Sequence, residues 1–185
     1  MKKTLIILSI FSFLFSSNIL LGPLADTHAI EHSIGISDKL GIAGFYTQTW
    51  SYKDKYTNTE SYYTVGTLMI ITGGAGFGIK HSFPGIYKDG GDENYDNLVP
   101  YVSLTGHGYY VLGMGGEPTA GLAATGSVGI DMHIIKWEEI DFSVNLGIIS
   151  TYDFTRGGFD MTLGASEGPN WLMPSINIKA NFKQK

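Results

Sequence analysis

The residues of this sequence with the chemistry for nucleophilic or acid–base work are few. The run "KHS", Lys80 to Ser82, together with His107, His133, Asp131 and Asp141, supplies the residue types of a Ser–His–acid hydrolase. Such a site needs the serine within hydrogen-bond reach of an imidazole that is itself held by the acid. Successive strand residues point to opposite faces, so His81 falls with Phe77 and Ile79 while Ser82 falls with Lys80. Within that run, nucleophile and base cannot meet. The run "DENYDN", residues 92–97, has the oxygen-ligand spacing that opens a calcium loop. Its sixth position is Asn97 instead of Gly, and its twelfth is Ser103 instead of Glu, so it reads as a solvated acidic loop. "TGGAGFG" and "GMGGEPTAG" are Gly-rich but have no following helix to hold phosphates. His107 and His133 lack a nearby histidine or cysteine, as metal binding would want. No catalytic residue, metal or cofactor is therefore assigned, and the expectation is that the chain is not an enzyme.

The elements that must position these residues are strands. In "LMPSINIKANFKQK" the residues Leu172, Pro174, Ile176, Ile178, Ala180 and Phe182 alternate with Met173, Ser175, Asn177, Lys179, Asn181 and Lys183. A strand with that pattern has one oily and one wet face. In "EIDFSVNLGIIS", Ile140, Phe142, Val144, Leu146 and Ile148 oppose Asp141, Ser143 and Asn145. In "GLAATGSVGIDMHII", Val128, Ile130, Met132 and Ile134 oppose Ser127, Asp131 and His133. Alternation and turn signals predict eight strands, over 39–52, 60–72, 74–83, 98–105, 107–113, 119–135, 139–154 and 170–183. A three-residue hairpin at Lys136 to Glu138 would set Ile134 opposite Ile140, Met132 opposite Phe142, Ile130 opposite Val144 and His133 opposite Asp141.

The N-terminus has the order of a secretory signal peptide: "MKK", the apolar run "TLIILSIFSFLF", then a small residue, Ala29, for cleavage. The expected division is a signal peptide over 1–29 and one β-barrel domain over 30–185. An uncleaved membrane anchor is the rival reading, since the apolar run continues through "NILL". The 185 residues carry a net charge of −5, which leaves no electrostatic footprint for nucleic acid. There is no cysteine, so stability must come from packing and strand pairing.

Where the polarity lies then decides between a protein core and a membrane. Only 16% of the residues are charged, against a usual ~25%. The wet faces hold mostly Ser, Thr, Asn, Gly and Tyr, too bland for a soluble exterior. A membrane barrel inverts the arrangement, with apolar residues outward and a modestly polar lumen. On that reading Ile130, Met132, Ile134, Ile140, Phe142, Val144, Leu146, Ile176 and Ile178 face lipid. Lys80, Asp131, His133, Asp141 and Lys179 form a polar network inside. Trp50, Tyr52, Tyr62, Trp137, Trp171 and Phe182 would sit at the interfaces as aromatic girdles. The alternative is a soluble, secreted or periplasmic lipocalin-like barrel, in which Ile140, Phe142, Val144, Ile176 and Ile178 line a cavity for a hydrophobic small molecule.

The exported N-terminus, the eight alternating strands, the terminal "INIKANF" and the phrase "LVPYVSLTGHGYY" together resemble the small outer-membrane β-barrels, the class of the outer-membrane protein A transmembrane domain and outer-membrane proteins X and W. The resemblance covers most of residues 33–183 and is one of pattern. It implies an eight-stranded antiparallel up-and-down transmembrane barrel in the bacterial outer membrane, with outer-membrane lipid and the barrel assembly machinery as partners. It also implies a loop-mediated role, such as adhesion or binding of a small apolar ligand, for which loops 53–59 and 84–97 are the candidates. Members usually end on the aromatic that the assembly machinery recognises, whereas "KQK" follows Phe182 here. Some barrels of that membrane trim acyl chains, so a lipid acyl hydrolase is a third reading, although no phrase here matches the lipid A deacylase motif.

Overall fold

The computed structural model describes residues 27–41, 46–53, 58–68, 71–86, 97–112, 119–137, 139–159 and 172–184. Eight strands run in chain order: β1 (Thr27–Ile36), β2 (Tyr46–Lys53), β3 (Thr59–Leu68), β4 (Thr72–Ser82), β5 (Leu98–Val111), β6 (Thr119–Lys136), β7 (Ile140–Asp153) and β8 (Met173–Gln184). Each pairs antiparallel with the next, and β1 pairs with β8, so the sheet closes into a barrel. Closure leaves no edge strand, and every ladder donor and acceptor can find a partner. An eight-stranded barrel is just wide enough for side chains to fill its interior.

The total of eight was expected, but two of its members were not. β1 lies partly inside the stretch read as a signal peptide, pairing Ala29 with Ser51 and with Lys183. Its residues Ile30, His32, Ile34 and Ile36 alternate with Ala29, Glu31, Ser33 and Gly35, a period-2 pattern that the preceding apolar run conceals. The expected strand over 39–52 is shortened to β2, because residues 37–41 turn inward instead. The expected strands 98–105 and 107–113 are one continuous β5, whose ladder to β6 runs unbroken through Gly106 and His107.

The β6–β7 hairpin also differs in register. Met132 pairs with Val144 and Ile130 with Leu146, while Ile135 meets Phe142 and Lys136 meets Asp141. The ladder next to the hairpin is displaced by three residues, and a bulge between His133 and Ile135 brings the shift back to two, an even number that keeps the expected faces together. His133 is therefore opposite Ser143, yet its side chain still reaches diagonally to Asp141.

Polarity is inverted relative to a soluble protein. Ile178 is 64% exposed and Val128 54%, whereas their strand neighbours Lys179 and Ser127 are 1% and 8% exposed. Ile34, Ile79, Leu104, Leu146, Ile148 and Ile176 share the exposed outer surface. Threonines 47, 49, 64, 105, 125 and 151, with Asn145 and Asn177, are buried inside. Among the described residues, no helix is long and apolar enough to cross a membrane.

Candidate functional site

The lumen is built around a segment that the alternation pattern does not reveal. Gly35 adopts φ +135°, where a Cβ would stand 2.1 Å from the carbonyl oxygen of Ile176. Only glycine fits that close approach. From there Ser37, Asp38, Lys39 and Leu40 fold into the barrel, all at most 2% exposed. Ser37 Oγ accepts from the backbone N–H groups of Lys39 and Leu40, each at 3.2 Å, which makes a tight local turn. Gly41, at φ +60°, completes it. Leu40 packs where Gly66 leaves room, and a Cβ on Gly66 would come within 2.8 Å of Leu40 Cδ1.

This inward turn delivers two charges to a network that spans the barrel interior. Asp38 accepts from Lys179 Nζ at 3.0 Å, and Lys179 reaches Asp131 at 3.2 Å. Asp131 in turn accepts from Lys80 at 2.5 Å and from Asn145 Nδ2 at 2.9 Å. Lys39 pairs with Glu31. Lys80 lies 4.6 Å and Lys179 5.5 Å from the ring centre of Tyr101, whose hydroxyl accepts from Asn145 at 2.8 Å. The ring faces add cation–π attraction in a place from which bulk water is excluded. Charges buried this deeply persist only when they are paired and hydrogen-bonded.

The five lumen residues singled out in the sequence all point inward, but as two groups. Lys80, Asp131 and Lys179 form one chain of ion pairs. His133 and Asp141 form a separate pair nearer the strand ends, with His133 Nδ1–H donating to Asp141 Oδ1 at 2.8 Å. Asn145, which alternation puts on the wet face of its strand, joins the network, as do Glu31, Asp38 and Lys39, which the strand pattern does not single out. For Asp38 and Lys39 the available signal is "GISDKLG", a turn-forming run bracketed by glycines.

Ile130, Met132, Ile134, Ile140, Phe142, Val144, Leu146, Ile176 and Ile178 are on the outward side, either exposed or half-buried against neighbouring side chains. Of the six aromatics expected at the interfaces, Tyr62 is a correction. It is fully buried in the lumen, with its hydroxyl 2.7 Å from Thr105 Oγ1. It alternates in phase with Glu60 and Thr64, so its face is inward. Trp50, Tyr52 and Tyr63 form an outward cluster with ring centres 5.7 to 6.2 Å apart. Trp137 meets Phe142 edge-on, and Phe182 meets His32. These lie toward the end of the barrel where β1 starts and β8 finishes. Tyr152, Phe154 and Phe159 cluster toward the opposite end. Trp171, most of the acidic 92–97 run, and residues 1–26 of the expected signal peptide are outside the described residues.

The groups considered for hydrolysis are dispersed. His81 is outward, 2.8 Å from Thr59 Oγ1 and edge-on to Phe83, while Ser82 faces the lumen. His107 is bonded to Thr125, itself 2.8 Å from Thr151.

Fold and interior together define a closed, eight-stranded antiparallel barrel with a salt-bridged, side-chain-filled lumen and an apolar outer surface. No family model and no curated protein matches the chain. Among solved structures it is similar to the crystal structure of Neisserial surface protein A, with a TM-score of 0.39 and 14% identity, over 86% of this chain and 94% of that one.

Proposed function

We propose that the chain is a bacterial outer-membrane barrel, held in the bilayer by its apolar outer surface and acting through its connections. The observation that carries this reading is the inversion of polarity. On neighbouring β8 residues, Ile176 and Ile178 stand exposed while Asn177 and Lys179 are buried. Water would penalise that exterior, and contiguous apolar patches beyond a few hundred Å² mark a surface that meets something else. Hydrocarbon suits it, and a closed barrel is one of the two backbone arrangements that hydrocarbon permits. The runner-up, a soluble barrel with an apolar cavity, needs Ile140, Phe142, Val144, Ile176 and Ile178 to point inward, and they do not.

The lumen is filled by residues 37–41 and their ion pairs, so the working surfaces are the two ends. Adhesion or capture of a small apolar ligand by the loops fits this arrangement. No hydrolytic step enters the reading. Loops 53–59 and 84–97 emerge at the end shared by the start of β1 and the finish of β8; the connections over 112–118 and 154–172 emerge at the other. An exported chain inserted from the periplasm as hairpins keeps its two strand termini on the side of entry. On that orientation an external partner meets 112–118 and 154–172, while 53–59 and 84–97 face the periplasm.

Fractionation decides the placement. The folded protein should partition with outer membranes and run as a compact species on an unheated gel, shifting on boiling. Recovery as a detergent-free soluble monomer would overturn the proposal.

A further inference from the structure

The end of the barrel shared by the start of β1 and the finish of β8 contains a recess of about 450 Å³ to which all eight strands contribute. Its floor is the inward turn, at Lys39, and its deep wall carries Glu31, Lys80 and Asp131. These inner charges are already matched: Lys39 with Glu31, and Lys80 with Asp131 and, at 3.9 Å, with Glu60. The lining as a whole holds five lysines and four carboxylates, on a chain whose net charge is −5. At the rim Lys183 is exposed, a cation of the lining outside these inner pairs.

A second observation points independently to a ligand. Ser143 lines the recess at 2% exposure, and its hydroxyl has no hydrogen-bond partner. Buried hydroxyls are ordinarily satisfied, so an orphan facing a cavity marks a place where an acceptor can sit. Its cross-strand neighbours are His133 and Lys179. Lys179 is held by Asp38 and Asp131, and His133 by Asp141, so at this level of the recess the Ser143 hydroxyl is the group left open, while Glu60 and Asp141 supply acceptors higher on the wall.

We propose that this recess binds a small phosphorylated polyol. The phosphoryl oxygens accept from Ser143 Oγ and lie under the Lys183 ammonium, and the polyol hydroxyls donate to the wall carboxylates. A phosphate monoester brings a charge of about −1.5 to −2 and three acceptor oxygens, more than a carboxylate offers to a hydroxyl and an ammonium together. The volume falls in the ~300–1,000 Å³ range of small-molecule sites. The groups the proposal rests on line this end of the interior and not the apolar outer face, so it holds whether the outer surface meets lipid or water.

The test is calorimetric titration of the full chain, folded in a neutral detergent, with glycerol 3-phosphate as probe and glycerol as the uncharged comparison. Saturable binding by the ester is expected, weakening as salt rises, with glycerol inert. Ser143→Ala should weaken it about fivefold, the loss of one hydrogen bond. Lys183→Gln, at an exposed position that leaves the fold intact, should weaken it comparably and flatten the salt dependence. Ser143→Thr retains the hydroxyl and should retain binding. No saturation by about 10 mM ester, a range where affinity is below that of ordinary metabolite sites, overturns the proposal. Equal binding of glycerol, or a loss confined to only one of the Ser143→Ala and Lys183→Gln variants, overturns it as well.

Discussion

Replacing Lys179 by Met removes the central cation of the lumen while nearly conserving the volume of the side chain. Lys179 is 1% exposed and joins Asp38 at 3.0 Å to Asp131 at 3.2 Å. Asp131 keeps Lys80 and Asn145 after the substitution, whereas Asp38 is left facing an apolar thioether. Breaking a buried pair from one side costs about 3–5 kcal/mol, because the remaining charge is stranded away from water. Adding Asp38→Asn neutralises that charge, so the double variant should recover most of the loss, with a coupling of ~2 kcal/mol or more. Urea unfolding of the lipid-refolded barrel, followed by tryptophan fluorescence, reads both quantities as midpoint shifts at constant slope. A Lys179→Met variant within about 1 kcal/mol of the parent would refute the reasoning, since exposed pairs are worth no more than that. The lumen would then be hydrated enough to screen its own charges.

Three other perturbations address separate parts of the structure. Gly35→Ala places a Cβ against the backbone oxygen of Ile176, 2.1 Å away, so the compact unheated gel band should be lost; full retention of that band would mean the inward turn tolerates rearrangement. Leu40→Ala empties a fully buried site beside Gly66 and should cost about 2–5 kcal/mol in the same urea titration, an effect that vanishes if residues 37–41 do not pack inside. Val128→Lys, midway along β6 on the exposed face, should cost ~2–4 kcal/mol when the barrel is folded into lipid. A change within about 0.5 kcal/mol there is what a water-facing position would give.

Strand alternation made the barrel legible because period 2 separates two faces that have different solvents. β6, β7 and β8 lie within three residues of their expected bounds, each pairing an aliphatic stripe with a Ser/Asn/Asp stripe. What stayed hidden had specific causes. β1 follows directly on an apolar run typical of export signals, and beside that run its short alternation over residues 29–36 is inconspicuous. The break expected within β5 falls at Gly106, but glycine in a strand removes a side chain without ending the ladder. Tyr62 was assigned to an interface because tyrosines crowd that stretch, although its phase with Glu60 and Thr64 already put it inside. Nothing in the composition of "SDKLG" says that it folds inward; that depends on Gly35 approaching β8, a tertiary contact.

The charges of the lumen acquire a sense once the inward turn is included. Residues 37–41 add one carboxylate and one ammonium, so they leave the net charge of the lumen unchanged but give Lys179 a second acceptor beside the Asp131 it shares with Lys80. Asp38 balances Lys179, while Lys39 brings with it the need for Glu31 on β1. The turn is thus held by electrostatics at both of its charged residues and by packing at Leu40. Its position divides the interior. On one side lies the recess with the unpartnered Ser143 hydroxyl; on the other lie His107, Thr125, Thr151 and the Asp153 carboxylate that accepts from Tyr109. A ligand entering the recess therefore stops at Lys39 and Glu31, in contact with groups whose pairing holds the turn in place. Binding at that end and the stability of the inward segment must then be coupled. Phosphate-ester binding should raise the urea midpoint of the parent protein and have a smaller effect where Lys39→Met has loosened the floor.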